Sequence, residues 1–333
     1  MSNNLTDRCY ALLSQLNLIA ADTKINVVPL TGGVASDIAC IEADNQKWCV
    51  KFALPKLKVE ADWFAPTHRN IAEYNWLCFV AEIVPQNAVQ LFGYSDALQG
   101  FAMAFLSADD VYLYKAALLA GKDTGTEAGK IASVLGKIHL ASSRDDFDAS
   151  PFQNQDDFWA LRIEPYLCYT ASHHPDISDI LLEEAERLYR SDTVLIHGDV
   201  SPKNIFFRHA EPVILDAECA TMGDPCFDIS FFLNHLILKA IHMPHRRQAN
   251  LRAVGDFWQV YAHYICWEDV MVLEQRICQL VPALMLGRVD GKSPVEYLSL
   301  SEQETTRKLA LKLIKTPHAN LKELCNTLDS ILS

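Results

Sequence analysis

The sequence lacks the marks of several large protein classes. It has no block of Lys and Arg, and 29 basic residues against 42 acidic ones give a formal net charge of −13. Nucleic-acid phosphates bind basic surfaces, so no nucleic-acid partner is expected. Its ten cysteines, at 9, 40, 49, 78, 168, 219, 226, 266, 278 and 325, include no CxxC pair. That spacing speaks against zinc knuckles and redox pairs. The opening Met1-Ser-Asn-Asn-Leu-Thr-Asp-Arg8 has no apolar core of a secretory leader, so reduced, mostly buried thiols in a cytoplasmic protein are the expectation. The apolar stretch from Ile229 to Ile241 contains Asn234, His235 and Lys239 and is too short to span a bilayer, so no membrane partner is expected. No glycine fingerprint follows a first strand and opens a helix, which removes the dinucleotide oxidoreductases. No Ser nucleophile elbow supports a hydrolase. Internal repeats and low-complexity linkers are missing as well.

What is present is a globular composition, 50% hydrophobic and 21% charged, over 333 residues. That length suits two lobes better than one core. The first third reads as strands with helices between them. Leu5 to Ala21 has helical spacing; Ile25 to Leu30, Ile38 to Ile41 and Lys47 to Ala53 read as strands, with Asp44-Asn45-Gln46 as a turn. A helix follows from about Thr67 to Glu82, then strands over Val89 to Tyr94 and Gly100 to Phe105. After Leu106 the texture turns helical: Thr126 to Ser142, Asp156 to Tyr169, Ile177 to Arg190 and nearly everything past Phe227. On texture alone the division falls into residues 1–106 and 107–333.

One β-rich island, Thr193 to Leu215, interrupts the helices. It reads Val194-Leu-Ile-His197-Gly-Asp199-Val-Ser-Pro-Lys-Asn204-Ile-Phe-Phe, then Val213-Ile-Leu-Asp216-Ala-Glu218. Asp199 and Asn204 are five apart, the spacing of a phosphotransfer loop in which an Asp orients the acceptor hydroxyl and an Asn holds Mg²⁺. Asp216 ends the next strand, where a second carboxylate would bridge metal and phosphates. Triphosphate charge calls for Mg²⁺, Mg²⁺ calls for hard oxygen ligands, and a hydroxyl nucleophile needs a proton acceptor. Either Asp alone could simply end a strand; the ordered set His197, Asp199, Asn204, Asp216, Glu218 is much harder to reach by chance.

With Gly223-Asp-Pro-Cys-Phe-Asp228 added, the island resembles the aminoglycoside phosphotransferase and choline kinase superfamily, in particular its 5-methylthioribose kinase and choline kinase branches, which carry Asp-x-Glu. The resemblance implies an α+β, protein-kinase-like bilobal fold, with a β-rich N-terminal lobe for the nucleotide and a mostly helical C-terminal lobe for the acceptor. It implies ATP and Mg²⁺, with Asp199 as catalytic base, Asn204, Asp216 and Glu218 around the metal, and Asp228 steadying the catalytic loop. Protein kinases have Arg where Gly198 stands and Lys where Ser201 stands, which disfavours peptide substrates. Lys203 is assigned no phosphate role.

By the same resemblance Lys51, inside the strand Trp48-Cys-Val-Lys-Phe-Ala53, grips ATP phosphates and pairs with Glu73 on the following helix. An edge-strand Lys facing water is the plainer alternative. Gly32 and Gly33 lie where a phosphate-covering hairpin belongs, and Ser36 could add a hydroxyl, although any tight hairpin favours two glycines. Met103 and Phe105 belong to the segment expected to accept adenine through its backbone.

His173-His174 and His242 with His245 lack a nearby Glu in metalloprotease order and are read as structural. The Trp258 to Trp267 aromatics read as helix packing before acceptor lining. Arg288 and Asp290 are weighed as acceptor contacts or a helix-to-helix turn, with the turn preferred. Residues 109–333 carry 22 basic and 32 acidic residues, which leans toward a cationic or neutral acceptor. A sugar, an amino alcohol and an aminoglycoside-like amine stay open, as do ATP against GTP and monomer against homodimer. A nucleotide-binding pseudokinase is the rival reading.

Overall fold

Gln46 to Ala53 forms strand β3, and its last six residues are all buried, so both of its faces are covered. The structure, a computed structural model, describes residues 4–30, 36–54, 67, 69–122 and 125–332. Strand β3 pairs antiparallel with β2 (Ser36–Ala43) and β5 (Gly100–Ala104). With β1 (Asn26–Pro29) and β4 (Leu91–Ser95) the sheet runs β1-β2-β3-β5-β4. Asp44 and Asn45 close the β2–β3 hairpin at φ 49° and 62°, the left-handed pair that matches strand twist in a two-residue turn.

Successive strand side chains point to opposite faces. Trp48, Val50 and Phe52 pack with Cys9, Leu12 and Leu13 of α1 (Leu5–Gln15). Cys49, Phe101 and Met103 instead join Trp76, Leu77 and Val80 of α2 (Arg69–Ile83) in a core that continues into the helical lobe. Lys51 shares the parity of Cys49, so β3 delivers it toward α2 and the cleft.

The second lobe opens with β6 (Val111–Leu113) and α3 (Tyr114–Leu119), followed by α4 (Glu127–Ser142). Next comes one helical stretch: α5 (Gln155–Phe158), a π-helical segment Trp159–Cys168, and α6 (Tyr169–His173). Pro165 lies inside it and cannot donate to a regular helical ladder. Helix α7 is Ser178–Arg190. Strands β7 (Val194–Ile196), β8 (Ile205–Arg208), β9 (Glu211–Ile214) and β10 (Thr221–Gly223) form the island. Two small sheets result, β10-β7 and β6-β8-β9. Neither β6 nor β10 was anticipated: three residues are too few to show a period of two.

Helix α8 (Pro225–His242) is buried over nearly its whole length, with Pro225 in its first turn and Asp224 as its cap, accepting from the Cys226 N–H. Helices α9 (Arg247–Tyr261), α10 (Val270–Asp290), α11 (Leu300–Lys315) and α12 (Leu321–Leu332) pack around it or against one another. Among the described residues α10 is long and apolar enough, by length and composition alone, to cross a bilayer, unlike the Ile229 to Ile241 stretch. It contains Pro282 and packs against α8 and α11.

Candidate active site

Lys51 and Glu73 meet at 2.6 Å, both almost fully buried, so the strand Lys and the helix Glu expected to pair do so. The same ammonium also bonds Oδ1 of Asp216 across the cleft. Burial works against the charge on Lys51, but Asp216, Glu73 and Glu218 outweigh it and push its pKa up. Burial raises the Glu73 carboxyl despite Lys51. Burial also opposes ionisation of Asp216, yet Lys51 and then Lys203 overcome it and hold Asp216 well below the usual carboxylate range. Asp216 has φ +71°, a left-handed conformation that strains a non-glycine residue and is tolerated where function demands it.

The catalytic loop is held by a buried frame. The backbone N–H groups of His197 and Gly198 donate to the two oxygens of Asp228, at 2.7 and 2.8 Å. The Asp199 N–H donates to Nδ1 of His197 at 3.1 Å, which puts the ring proton on Nε2, 3.1 Å from the Leu215 carbonyl. Burial lowers the His197 pKa and keeps the ring neutral, in accord with that tautomer. Trp76 of α2 meets the His197 ring edge-on at 4.8 Å. Gly198 has φ +77°, and a Cβ there would lie 2.9 Å from the Cys219 carbonyl oxygen. No Arg fits at that position.

The guanidinium comes from elsewhere. Arg162, in the π-helical segment, donates to Oδ2 of Asp199 at 2.9 Å and to the Gly198 carbonyl at 2.7 Å. Lys203 reaches the same Oδ2 at 3.2 Å. Among the described residues nothing engages Oδ1, which is left for a ligand. Burial would raise the Asp199 carboxyl, but Lys203 and Arg162 outweigh it and hold it low.

Asn204 donates from Nδ2 to the Asp199 carbonyl at 3.1 Å, and the Leu215 N–H donates to the Asn204 carbonyl at 2.9 Å. The Asn204 amide nitrogen is thereby committed, its Oδ1 remains as a hard donor, and Asp216 is the next residue along from Leu215. Those two oxygens suit Mg²⁺, which prefers one or two protein ligands plus phosphates and water to an all-protein cage. Among the described residues no group of three or more His, Cys, Asp and Glu side chains forms such a cage. Glu218 is buried and paired with Arg69 of α2 at 2.9 Å, so its charge is already matched.

Ser36 is buried at the start of β2. Met103 is buried in β5 and Phe105 follows that strand, half-buried. Gly32 and Gly33 lie outside the described residues. Asp290 pairs with Arg307 at 2.7 Å and His174 at 2.8 Å, tying helices together. Arg288 bonds the Tyr166 hydroxyl at 3.0 Å and Ser293. His242 pairs with Glu302 at 3.1 Å. His139 bonds the Tyr261 hydroxyl at 2.6 Å inside the aromatic packing. Arg162 and Arg69 are the residues sequence reasoning missed; each lies far along the chain from its carboxylate, and no local pattern marks either.

Residues 26–264 match the model of a phosphotransferase enzyme family. A methylthioribose kinase from a Geobacillus species is 26% identical over 243 residues, covering 64% of this chain and 60% of that protein. The matched part therefore spans less than two thirds of that relative. Among solved structures, an amicoumacin kinase superposes with a TM-score of 0.58 at 13% identity, covering 97% of this chain and 100% of the other. A choline/ethanolamine kinase family protein from Mesorhizobium loti gives 0.53 at 13%, covering 94% and 96%. With residues 26–264 matched, the chain belongs to the phosphotransferase enzyme family.

Proposed function

We propose that the chain is a Mg²⁺-dependent small-molecule kinase that moves the γ-phosphoryl group of ATP to an acceptor hydroxyl. The observation that carries this is the bridge from Lys51 to both Glu73 and Asp216, beside an Asp199 with one free oxygen. Residues 1–106 form the nucleotide lobe, with Lys51 on the phosphates, Ser36 beside them, and Met103 and Phe105 at the adenine. Residues 107–333 bring the catalytic loop and the acceptor helices.

Asn204 and Asp216, with Glu218 as a third oxygen donor, would hold Mg²⁺, whose charge would neutralise that of the phosphates. Asp199 takes the acceptor proton on Oδ1 while Arg162 and Lys203 hold Oδ2. Lys51 fixes the phosphates and Asp228 keeps the loop rigid, so the rate gain comes from positioning and fixed charge rather than a covalent intermediate. The protein works in the cytoplasm as a monomer or homodimer. Screening hydroxylated metabolites for Mg²⁺-dependent ADP release tests the reading. Nucleotide binding without turnover on any acceptor would instead support a pseudokinase.

A further inference from the structure

We propose that the acceptor carries an anionic oxygen group, a carboxylate or a phosphate, received by Lys115, Lys239 and Arg288 on the helical lobe; this rests on the kinase reading above.

Lys239 on α8 is 1% exposed, yet its ammonium reaches only the His235 carbonyl at 3.4 Å and the Tyr297 ring at 5.0 Å. No carboxylate among the described residues pairs with it. The other deeply buried cations do have carboxylates: Lys51 has Glu73 and Asp216, Arg69 has Glu218, and Arg162 has Asp199. A buried charge without a partner is costly enough that a fold seldom keeps one to no purpose.

Its surroundings repeat the pattern. Three cations converge on the segment from Ser293 to Tyr297: Arg288 donates to the Ser293 carbonyl, Lys115 bonds Glu296, and Lys239 faces the Tyr297 ring. Arg288 has its guanidinium 5.6 Å from the Tyr166 ring, and its Nε is buried without a hydrogen-bond partner. Lys115 projects from α3, which packs on the turn Pro202–Asn204 of the catalytic loop. Among the described residues, the sole ion-pair partner of Lys115, Lys239 and Arg288 is Glu296, bonded to Lys115 and itself 64% exposed. Burial, then Lys115 and Arg288, bring the Lys239 pKa down to about 7, as expected of a cation awaiting an anion.

The row continues to the reacting centre. Lys203 contacts Asp199, and Tyr166 lies in the same helical segment as Arg162 while bonding Arg288. An acceptor with its hydroxyl at Asp199 would thus set an anionic group against Lys115 and Arg288, with Lys239 behind them. The lean of the charge of residues 109–333 toward a cationic or neutral acceptor is reversed here, because nearby charges dominate and distant ones are screened. The reaction balances as before. The hydroxyl proton passes to Asp199, a bond forms between acceptor oxygen and γ-phosphorus, the bond from γ-phosphorus to the bridging oxygen breaks, and ADP leaves. The anionic group is unchanged.

The test uses the full chain saturated with AMP-PNP and Mg²⁺. D-glycerate against glycerol, D-ribose 5-phosphate against D-ribose, inorganic phosphate and choline are titrated in by calorimetry. The anionic member of each pair should bind at least about tenfold more tightly than its neutral twin. Lys239→Met and Lys115→Gln should each abolish that preference, and Lys308→Gln on α11 should keep it. Lys115 is partly exposed, so its variant serves even if Lys239→Met fails to fold. The glycerate and ribose phosphate arms separate carboxylate from phosphate. Equal or tighter binding of the neutral twins or choline, or a preference surviving in both variants, overturns the proposal. Failure of AMP-PNP to bind would overturn the kinase reading itself; AMP-PNP binding without anion preference overturns only this one.

Discussion

Arg162 fixes both the side chain and the adjoining peptide of Asp199, through Oδ2 at 2.9 Å and the Gly198 carbonyl at 2.7 Å. Removing one partner of a buried pair strands the other charge, so Arg162→Ala should cost about 3–5 kcal/mol of stability. Arg162→Lys keeps the charge without the fork and should fold, with kcat down by about tenfold or more. Urea denaturation and steady-state kinetics read the two effects. Wild-type kcat in Arg162→Lys would show that Asp199 needs no such clamp.

Asp199→Asn keeps the shape and removes the proton acceptor. ATP affinity should hold while kcat falls by about 10²–10⁴. An unchanged kcat with a verified acceptor rules the assignment out.

Lys51 is buried between two carboxylates on opposite sides of the cleft. Lys51→Met leaves Glu73 and Asp216 facing each other without their cation, so productive ATP binding should weaken by about tenfold or more. Adding Glu73→Gln relieves part of the repulsion and should recover stability but not turnover. Calorimetry with ATP checks the first effect and thermal unfolding the second. Wild-type affinity together with wild-type turnover in Lys51→Met excludes the role.

Glu218 is matched by Arg69, while Asp216 lies just past β9, next to Leu215, whose N–H bonds the Asn204 carbonyl. Asp216→Asn should therefore do more damage than Glu218→Gln at saturating Mg²⁺, and Glu218→Gln should raise the Mg²⁺ needed for half-maximal rate. A Mg²⁺ titration of both variants decides it. A wild-type Mg²⁺ curve with a changed acceptor KM in Glu218→Gln moves Glu218 out of the metal site.

Lys239 has its pKa lowered from 10.5 to about 7, first by burial and then by Lys115 and Arg288, with Glu296 as the one opposing charge. Between those values the unfolded chain holds a proton that the folded chain has released, so this group makes stability rise with pH across that window. Below about 7 the full penalty of the buried charge remains. Lys239→Met should thus raise Tm relative to wild type, more at about pH 6 than at about pH 9. Thermal unfolding at both values is the check. A variant less stable than wild type at the lower pH would mean that Lys239 has an anionic partner already.

Sequence by itself determined what depends on short range: the strand β3 that carries Lys51, the Asp44-Asn45 hairpin, and the loop that spaces Asp199, Asn204 and Asp216. The Lys51–Glu73 pairing was implied by the family resemblance, and the fold brings the two together because Lys51 lies on the face of β3 that packs on α2. Strands β6 and β10 were not legible, since three residues carry no period. Arg162 and Arg69 were not legible either. Their partners Asp199 and Glu218 lie 37 and 149 residues away, and only packing of the π-helical segment and of α2 brings each pair together. Which charges border the catalytic loop was likewise decided by tertiary structure. Composition gave the helical lobe an acidic balance, but Coulomb interaction weakens with distance and is screened by salt, so Arg162 and Lys203, the cations that folding sets on Asp199, count for more there than acidic residues spread over the surface.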